Sequence, residues 1–227
     1  LFKSLTVLNG PFKGLKYPYL DSVGSAIYPK LIGSYESELH QTLNSILDKE
    51  YSEIIDIGCA EGYYAIGMAM KCDNAKTYAF DINEKARKLC LEMAVLNDVA
   101  EKVEINSECT PELLRSFNFT KKGLIICDCE GFEDKLFNSE NIKNLKNCDL
   151  IIELHDFIDI HISKNLKKLF SKTHDVESIF SLDDIHKAQN YSFNELSGLT
   201  LIDKKRILAE NRPAIMEWII CKPKMEM

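Results

Sequence analysis

Ile54-Ile-Asp-Ile-Gly-Cys-Ala-Glu-Gly-Tyr-Tyr-Ala65 decides how the rest of this chain is read. Ile54 to Ile57 is an apolar run of strand length, broken only by Asp56, and Tyr64 to Met70 continues with helix-compatible residues. Gly58 and Gly62 bracket a tight turn between them. Strand, glycine turn and helix together bring backbone N–H groups and a helix N-terminus up to a ligand. Gly58 leaves the backbone free to approach that ligand and permits positive φ. Working outward, Thr77 to Phe80 reads as a second strand, and it ends in Asp81. An acid there suits the two hydroxyls of a ribose, because an ionised carboxylate only accepts hydrogen bonds.

The turn separates two nucleoside cofactors. A dinucleotide fold wants Gly-x-Gly-x-x-Gly. Here the residues are Gly58-Cys59-Ala60-Glu61-Gly62-Tyr63, so Ala60 replaces the middle glycine and a bulky tyrosine would crowd a pyrophosphate. A nicotinamide-dependent oxidoreductase on a Rossmann-type sheet is therefore the alternative. Asp56, Gly58 and Gly62 instead resemble the Asp-x-Gly-x-Gly-x-Gly motif of class I S-adenosylmethionine (SAM) methyltransferases, with Ala60 departing. The resemblance implies an α/β, Rossmann-like fold of seven strands, mostly parallel, with an antiparallel C-terminal hairpin. It also implies that the turn passes under the methionine part of SAM while Asp81 holds the ribose. Asp56, Gly58, Cys59, Ala60, Gly62 and Tyr63 are then cofactor contacts, as are Asp81 and Ile82.

Composition narrows the classes. At 227 residues the chain suits one α/β domain with an elaborated edge. With 28 basic and 35 acidic side chains its net charge is −7, which argues against a broad phosphate-binding face and so against nucleic acid. The eight cysteines form no CxxC pair, several lie in apolar runs, and no secretory signal precedes them. They read as reduced, mostly buried thiols of a cytoplasmic protein rather than as disulfides or a zinc site. No apolar run approaches membrane-spanning length. The chain begins at Leu1 rather than methionine, so a longer native N-terminus is expected.

In chain order, residues 1–33 are rich in glycine and proline and read as an irregular lead-in, with residues 34–227 as the methyltransferase domain. Its aromatics, Phe2, Phe12, Tyr17, Tyr19 and Tyr28, either cover a pocket or pack on the sheet; packing is the favoured reading. Ser34 to Glu50 has helical periodicity with Ser34 as cap, which puts Tyr35 and Glu36 in a first turn within reach of the cofactor. Glu84 to Asn97 is amphipathic, and Lys102 to Asn106 reads as a third strand. Glu108 follows that strand, where the methyltransferase resemblance implies contact with the adenine amino group. Ile162 to Phe170 reads as a helix, His174 to Ser181 as a strand, residues 182–212 as a helix plus a polar connection, and Ala214 to Cys221 as the last strand.

A second stretch carries the chemistry. Gly123 to Asp128 and Asp149 to Glu153 are apolar strands that end in Asp128-Cys129-Glu130-Gly131-Phe132-Glu133 and in Glu153-Leu154-His155. Ligands of parallel sheets bind beyond the carboxyl ends of strands, which places these acids and His155 in the crevice of Gly58 and Asp81. Carboxylates there are poor choices for a core and reasonable ones for holding a cation or activating a hydroxyl. Together with Gly33-Ser-Tyr-Glu-Ser-Glu-Leu39, these stretches resemble the FkbM-type branch of SAM methyltransferases over roughly Gly10 to His155. That resemblance implies O-methylation of a small-molecule or glycan-precursor acceptor. Asn-Pro-Pro-Tyr, the mark of many methyltransferases acting on amino groups of bases or glutamine, is absent, and Asp128-Cys129-Glu130-Gly131 stands in its place; N-methylation of a small molecule stays as an alternative. Two devices could activate an acceptor hydroxyl. His155, Glu130 or Glu153 could take its proton, or Asp128, Glu153 and His155 could hold Mg²⁺ or Mn²⁺ against it. The second arrangement is similar to that of catechol O-methyltransferase. A SAM-binding scaffold without catalysis would not need such a cluster, and a homo-oligomer is compatible with everything above.

Overall fold

Strand β1 (Glu53–Ile57) is buried along its whole length, and its alternate residues serve opposite faces. Ile54 packs into one apolar layer, Ile55 and Ile57 into the other, as the two-residue period of a strand requires. The same alternation holds in β4 (Gly123–Cys127) and β5 (Asp149–Leu154), where Leu124, Ile126 and Ile151 face one layer and Ile125, Cys127, Leu150 and Ile152 the other. Strands buried on both faces read as continuous apolar runs. That is why the centre of the sheet was legible.

The computed structural model describes residues 4–224. Its seven strands add β2 (Lys76–Phe80), β3 (Val103–Asn106), β6 (His174–Phe180) and β7 (Glu217–Pro223), in the order β3-β2-β1-β4-β5-β7-β6. The first five run parallel; β7 lies antiparallel between β5 and β6. Helices α1 (Ile27–Ile32), α2 (His40–Leu47), α3 (Tyr63–Lys71) and α4 (Glu84–Leu96) contribute to one layer, and α5 (Pro111–Ser116), α6 (Glu133–Leu136) and α7 (Ile162–Phe170) to the other. No helix among the described residues is long and apolar enough to cross a membrane.

Two expectations need correction. The helix read from Ser34 begins later: a 3₁₀ turn at Ser37–Leu39 leads into α2, and Glu36 precedes it with φ 48°. Ser34 caps nothing there; its hydroxyl faces the Pro29 carbonyl at 3.5 Å. The C-terminal hairpin is not tight either. Between β6 and β7 the chain forms α8 (Asp184–Asn190) and α9 (Leu201–Leu208), where one helix was expected, and β7 starts at Glu217 rather than Ala214.

In the lead-in, Phe12 and Tyr17 are buried, whereas Tyr19 and Tyr28 are exposed; Phe2 lies outside the described residues. The Phe12 ring occupies the space that a Cβ on Gly67 of α3 would fill, 2.5 Å away. All eight cysteines are free thiols, seven of them buried.

Candidate active site

The carboxyl ends of β1, β2, β4 and β5 open into one cavity of about 600 Å³, within the size range of small-molecule sites. Its turn end is built by the opening motif. Gly58 and Cys59 both donate their backbone N–H to the Phe80 carbonyl at 2.8 and 3.0 Å, drawing the turn against the end of β2. Gly58 has φ 81°, and a Cβ there would lie 1.6 Å from the Asp128 carbonyl oxygen. The close approach that demands glycine is thus made by the end of β4, not by a ligand. Ala60 takes φ 48° and donates its N–H to Asp81 Oδ2 at 2.9 Å; Asn83 N–H donates to Oδ1 at 2.8 Å. A carboxylate accepting two bonds keeps lone pairs for two more donors. Beside it, Ile82 is 84% exposed, an apolar side chain on the cavity wall that the protein itself leaves uncovered.

Asp56, Cys59, Tyr63 and Glu108 also line the cavity. Burial, followed by the nearby Asp128 and Asp81, pushes Asp56 up to about 8, and its Oδ2 has no hydrogen-bond partner. Tyr63 stacks edge-on with Phe12, Tyr35 and Tyr64 at 5.2 to 5.3 Å between centroids. Two expected cofactor contacts are not on the wall. Gly62 begins α3, and a Cβ there would meet Ile66 and Cys90 at 2.8 and 2.9 Å, so it serves the packing of α3 on α4. Glu36 is buried behind the wall, accepting from the Tyr64 hydroxyl and pairing with Arg212.

The far end holds the acid cluster. His155 follows β5, and its Nδ1 lies 2.9 Å from Glu133 Oε1. Its Nε2 faces Asp128 Oδ1 at 3.4 Å and Glu130 Oε2 at 3.5 Å. Burial lowers the His155 pKa, but the Glu133 bond and the surrounding acids outweigh it and leave it raised. Burial alone would raise Glu133; the bonds from His155 and the Gly131 N–H reverse that and hold it low. Asp128 is pushed up to about 7 by burial and by Glu36 and Glu130, against the pull of His155.

Asp128, Glu130 and His155 each offer one ligand atom within 4.8 Å of the others. Glu153 stands apart from this group. Its carboxylate is bound by Arg212 Nη1, while Arg212 Nη2 binds Glu36 and Nε binds Glu210 at 2.9 Å. Burial, then Asp128, still raises the Glu153 pKa. The guanidinium lies 4.8 Å over the Trp218 ring and is 14% exposed.

Four residues that build this site were not singled out from the sequence, the first being Glu133, which was read only as the end of the Asp128–Glu133 stretch. Arg212 comes from the connection into β7, where a lone arginine before Pro213 gave no periodic signal. Glu210 sits beside it. Glu61, inside the motif itself, accepts from Lys30 Nζ at 2.5 Å, Ser22 Oγ at 2.9 Å and the Val23 N–H at 3.0 Å, which fastens the lead-in to the glycine turn. Val23, Gly24 and Ser25 thereby become part of the cavity wall.

A sheet of this order, with a glycine turn after β1 and an acid after β2, is the fold of the class I SAM-dependent methyltransferases. No family model matches the chain. It is 24% identical over 216 residues to the release factor glutamine methyltransferase of Fusobacterium nucleatum, covering 94% of this chain and 55% of that one. The chain thus spans about half the length of the curated relative it matches. Among solved structures it is similar to precorrin-6y C5,15-methyltransferase from Geobacter metallireducens (TM-score 0.51, 13% identity, 81% of this chain and 89% of that one). It is also similar to a SAM-dependent O-methyltransferase from Thermotoga maritima (TM-score 0.50, 16% identity, 82% and 65%).

Proposed function

We propose that this protein is a SAM-dependent O-methyltransferase of the FkbM type, acting on a hydroxyl of a sugar, glycan precursor or related small molecule. The observation that carries the reading is one cavity with Asp81 and the Gly58–Ala60 turn at one end and the Glu133–His155 pair at the other. The residues present suit the cofactor. Asp81 has acceptor capacity left for ribose hydroxyls, and uncovered Ile82 offers an apolar surface for a base. Glu108 is exposed on the wall beyond β3, and we assign it to the adenine amino group.

Bound SAM supplies an electrophilic methyl group, so that a C–O bond to the acceptor forms as the C–S bond breaks. The chain must orient the acceptor oxygen, exclude water and take the proton. His155 is suited to taking the proton, because Glu133 fixes Nδ1 as the donor nitrogen and leaves Nε2 facing the cavity to receive it from the hydroxyl. Asp128 and Glu130 flank the imidazolium that results. Glu153, held by Arg212, shapes the wall rather than moving the proton.

A second reading rests on the Asp128, Glu130 and His155 ligand atoms. Two carboxylates and an imidazole, with Asp128 Oδ1 lacking a hydrogen-bond partner, suit Mg²⁺ or Mn²⁺, and Glu133 would brace the imidazole from behind. Such an ion would lower the pKa of the acceptor hydroxyl. Methylation of a glutamine, which the relative's name raises, is disfavoured because Asp128-Cys129-Glu130-Gly131 stands where Asn-Pro-Pro-Tyr marks many such enzymes; N-methylation of a small molecule stays as the alternative.

The test is release of S-adenosylhomocysteine from SAM across a panel of hydroxylated acceptors, with and without EDTA. Product methylated on oxygen supports the reading; methylation on nitrogen alone contradicts it. Retained turnover in EDTA rules against the metal.

A further inference from the structure

The charges around the cavity do not balance, and the imbalance is sorted by position. Asp56, Asp81 and Glu108 lie toward the glycine turn; Asp128, Glu130, Glu153 and Glu210 lie at the ends of β4 and β5 and on the approach to β7. Among the described lining residues only Lys30 and Arg212 carry a permanent positive charge. Neither is free to meet an anion. Lys30 is paired with Glu61 at 2.5 Å, both side chains almost inaccessible. Arg212 commits each of its three nitrogens to a different carboxylate, and its flat face to Trp218. A further oxygen on the wall, Asp56 Oδ2, is buried without a partner. The ammonium and sulfonium of SAM would offset part of the turn-end charge. At the other end Arg212 is spent on Glu153 and Glu210, so that among the described lining residues only His155 stands beside Asp128 and Glu130, and its Nδ1 is taken by Glu133.

We propose that the acceptor end of the cavity is cation-selective: it takes an acceptor with an ammonium group beside the hydroxyl to be methylated, as in an amino sugar or amino alcohol, and excludes acceptors bearing phosphate or carboxylate. An anion there would face Asp128 and Glu130 with no uncommitted guanidinium to receive it, and like-charge repulsion is stronger in a recessed site than in water. An ammonium is compact and donates three hydrogen bonds. Asp128 and Glu130, whose oxygens converge on the same imidazole nitrogen, can share it. Phe157, half-exposed on the rim of this end, adds an aromatic ring beside His155, whereas the Phe132 ring already carries Lys135 Nζ 5.7 Å from its centroid.

The inference rests on the SAM reading, and its test separates the two. Sinefungin carries an ammonium where SAM carries its methyl, directed at the acceptor; S-adenosylhomocysteine is neutral there. Both are titrated calorimetrically into the full chain and into Glu130→Gln. Sinefungin should bind about tenfold tighter than S-adenosylhomocysteine at low salt, and Glu130→Gln should narrow the gap about threefold. Equal affinities overturn the cation preference and leave the cofactor reading standing. No binding of either ligand removes both. Faster methylation of a sugar phosphate than of the matching amino sugar also overturns the proposal.

Discussion

The imidazole of His155 is held from behind by Glu133, with Nδ1 and Oε1 2.9 Å apart and the carboxylate wholly inaccessible to solvent. The pair is assembled by a local turn. Glu130 and Gly131 both take positive φ, 55° and 94°, which folds the chain back so that Glu133 accepts N–H bonds from Gly131 at 3.1 Å and Cys129 at 3.3 Å. Non-glycine residues in that conformation cost about 1–3 kcal/mol each and persist where the surroundings fix them. Ala60 and Asn211, the other non-glycine wall residues with positive φ, belong to the same cavity.

Replacing His155 by Ala should lower turnover by about 10²- to 10⁴-fold, the usual contribution of a general base, while SAM affinity is unchanged. Because Glu133 and the neighbouring acids raise the His155 pKa, the base is neutral only at higher pH. The rate should therefore climb with pH through a value above the ordinary ~6.5. Glu133→Gln should move that limb to lower pH. A pH–rate profile of the two proteins checks both, and an unmoved limb would contradict the assignment.

Arg212 ties Glu36 ahead of α2, Glu153 of β5 and Glu210 of the connection into one buried unit. Arg212→Ala leaves Glu36 and Glu153 without an ion-pair partner, while Glu210 keeps Lys187 at 2.5 Å, and should cost about 3–5 kcal/mol of stability, read from the urea midpoint. A loss below about 1 kcal/mol would mean that the network is solvated in solution.

Asp56 gives a pH signature of its own. Its pKa is raised from the ordinary 3.8 to about 8 in the folded chain, so between those values the native state binds a proton that the unfolded state has lost. Stability from this group is full at low pH and declines by up to about 1.4 kcal/mol per pH unit until pH reaches about 8. Asp56→Asn should flatten the fall in thermal stability between about pH 5 and about pH 8. Parallel curves for the two proteins would place the carboxyl in a wetter site.

Gly58→Ala puts a methyl group 1.6 Å from the Asp128 carbonyl at a φ of 81°. The strands must part or the turn must refold, and a loss above about 2 kcal/mol is expected by chemical denaturation. Wild-type stability in this variant would show that the turn has slack.

The sequence was informative where one residue type has one use. β1, β4 and β5 are doubly buried and read as apolar runs, and the acids at their ends stand out because a core would not place them there. His155 and Asp128 were legible for that reason and do share one cavity wall. Glu36 was misplaced because a carboxylate two residues after a serine suggests a capped helix start, whereas the chain takes a left-handed turn there to reach Arg212. Arg212 itself was invisible: two of its three carboxylate partners lie 59 and 176 positions away, and no local pattern encodes such pairs. Gly58 was identified correctly as a close-approach position, but the approaching atom belongs to the end of β4, a tertiary contact that no motif names.

The most direct measurement is a calorimetric titration of SAM into the wild-type chain and into Asp81→Ala. Binding in the micromolar range that weakens by about 100-fold in the variant, some ~2.7 kcal/mol, is the predicted result. A folded wild-type protein that takes up no SAM, or a variant that binds it equally well, would contradict the assignment of this cavity to the cofactor.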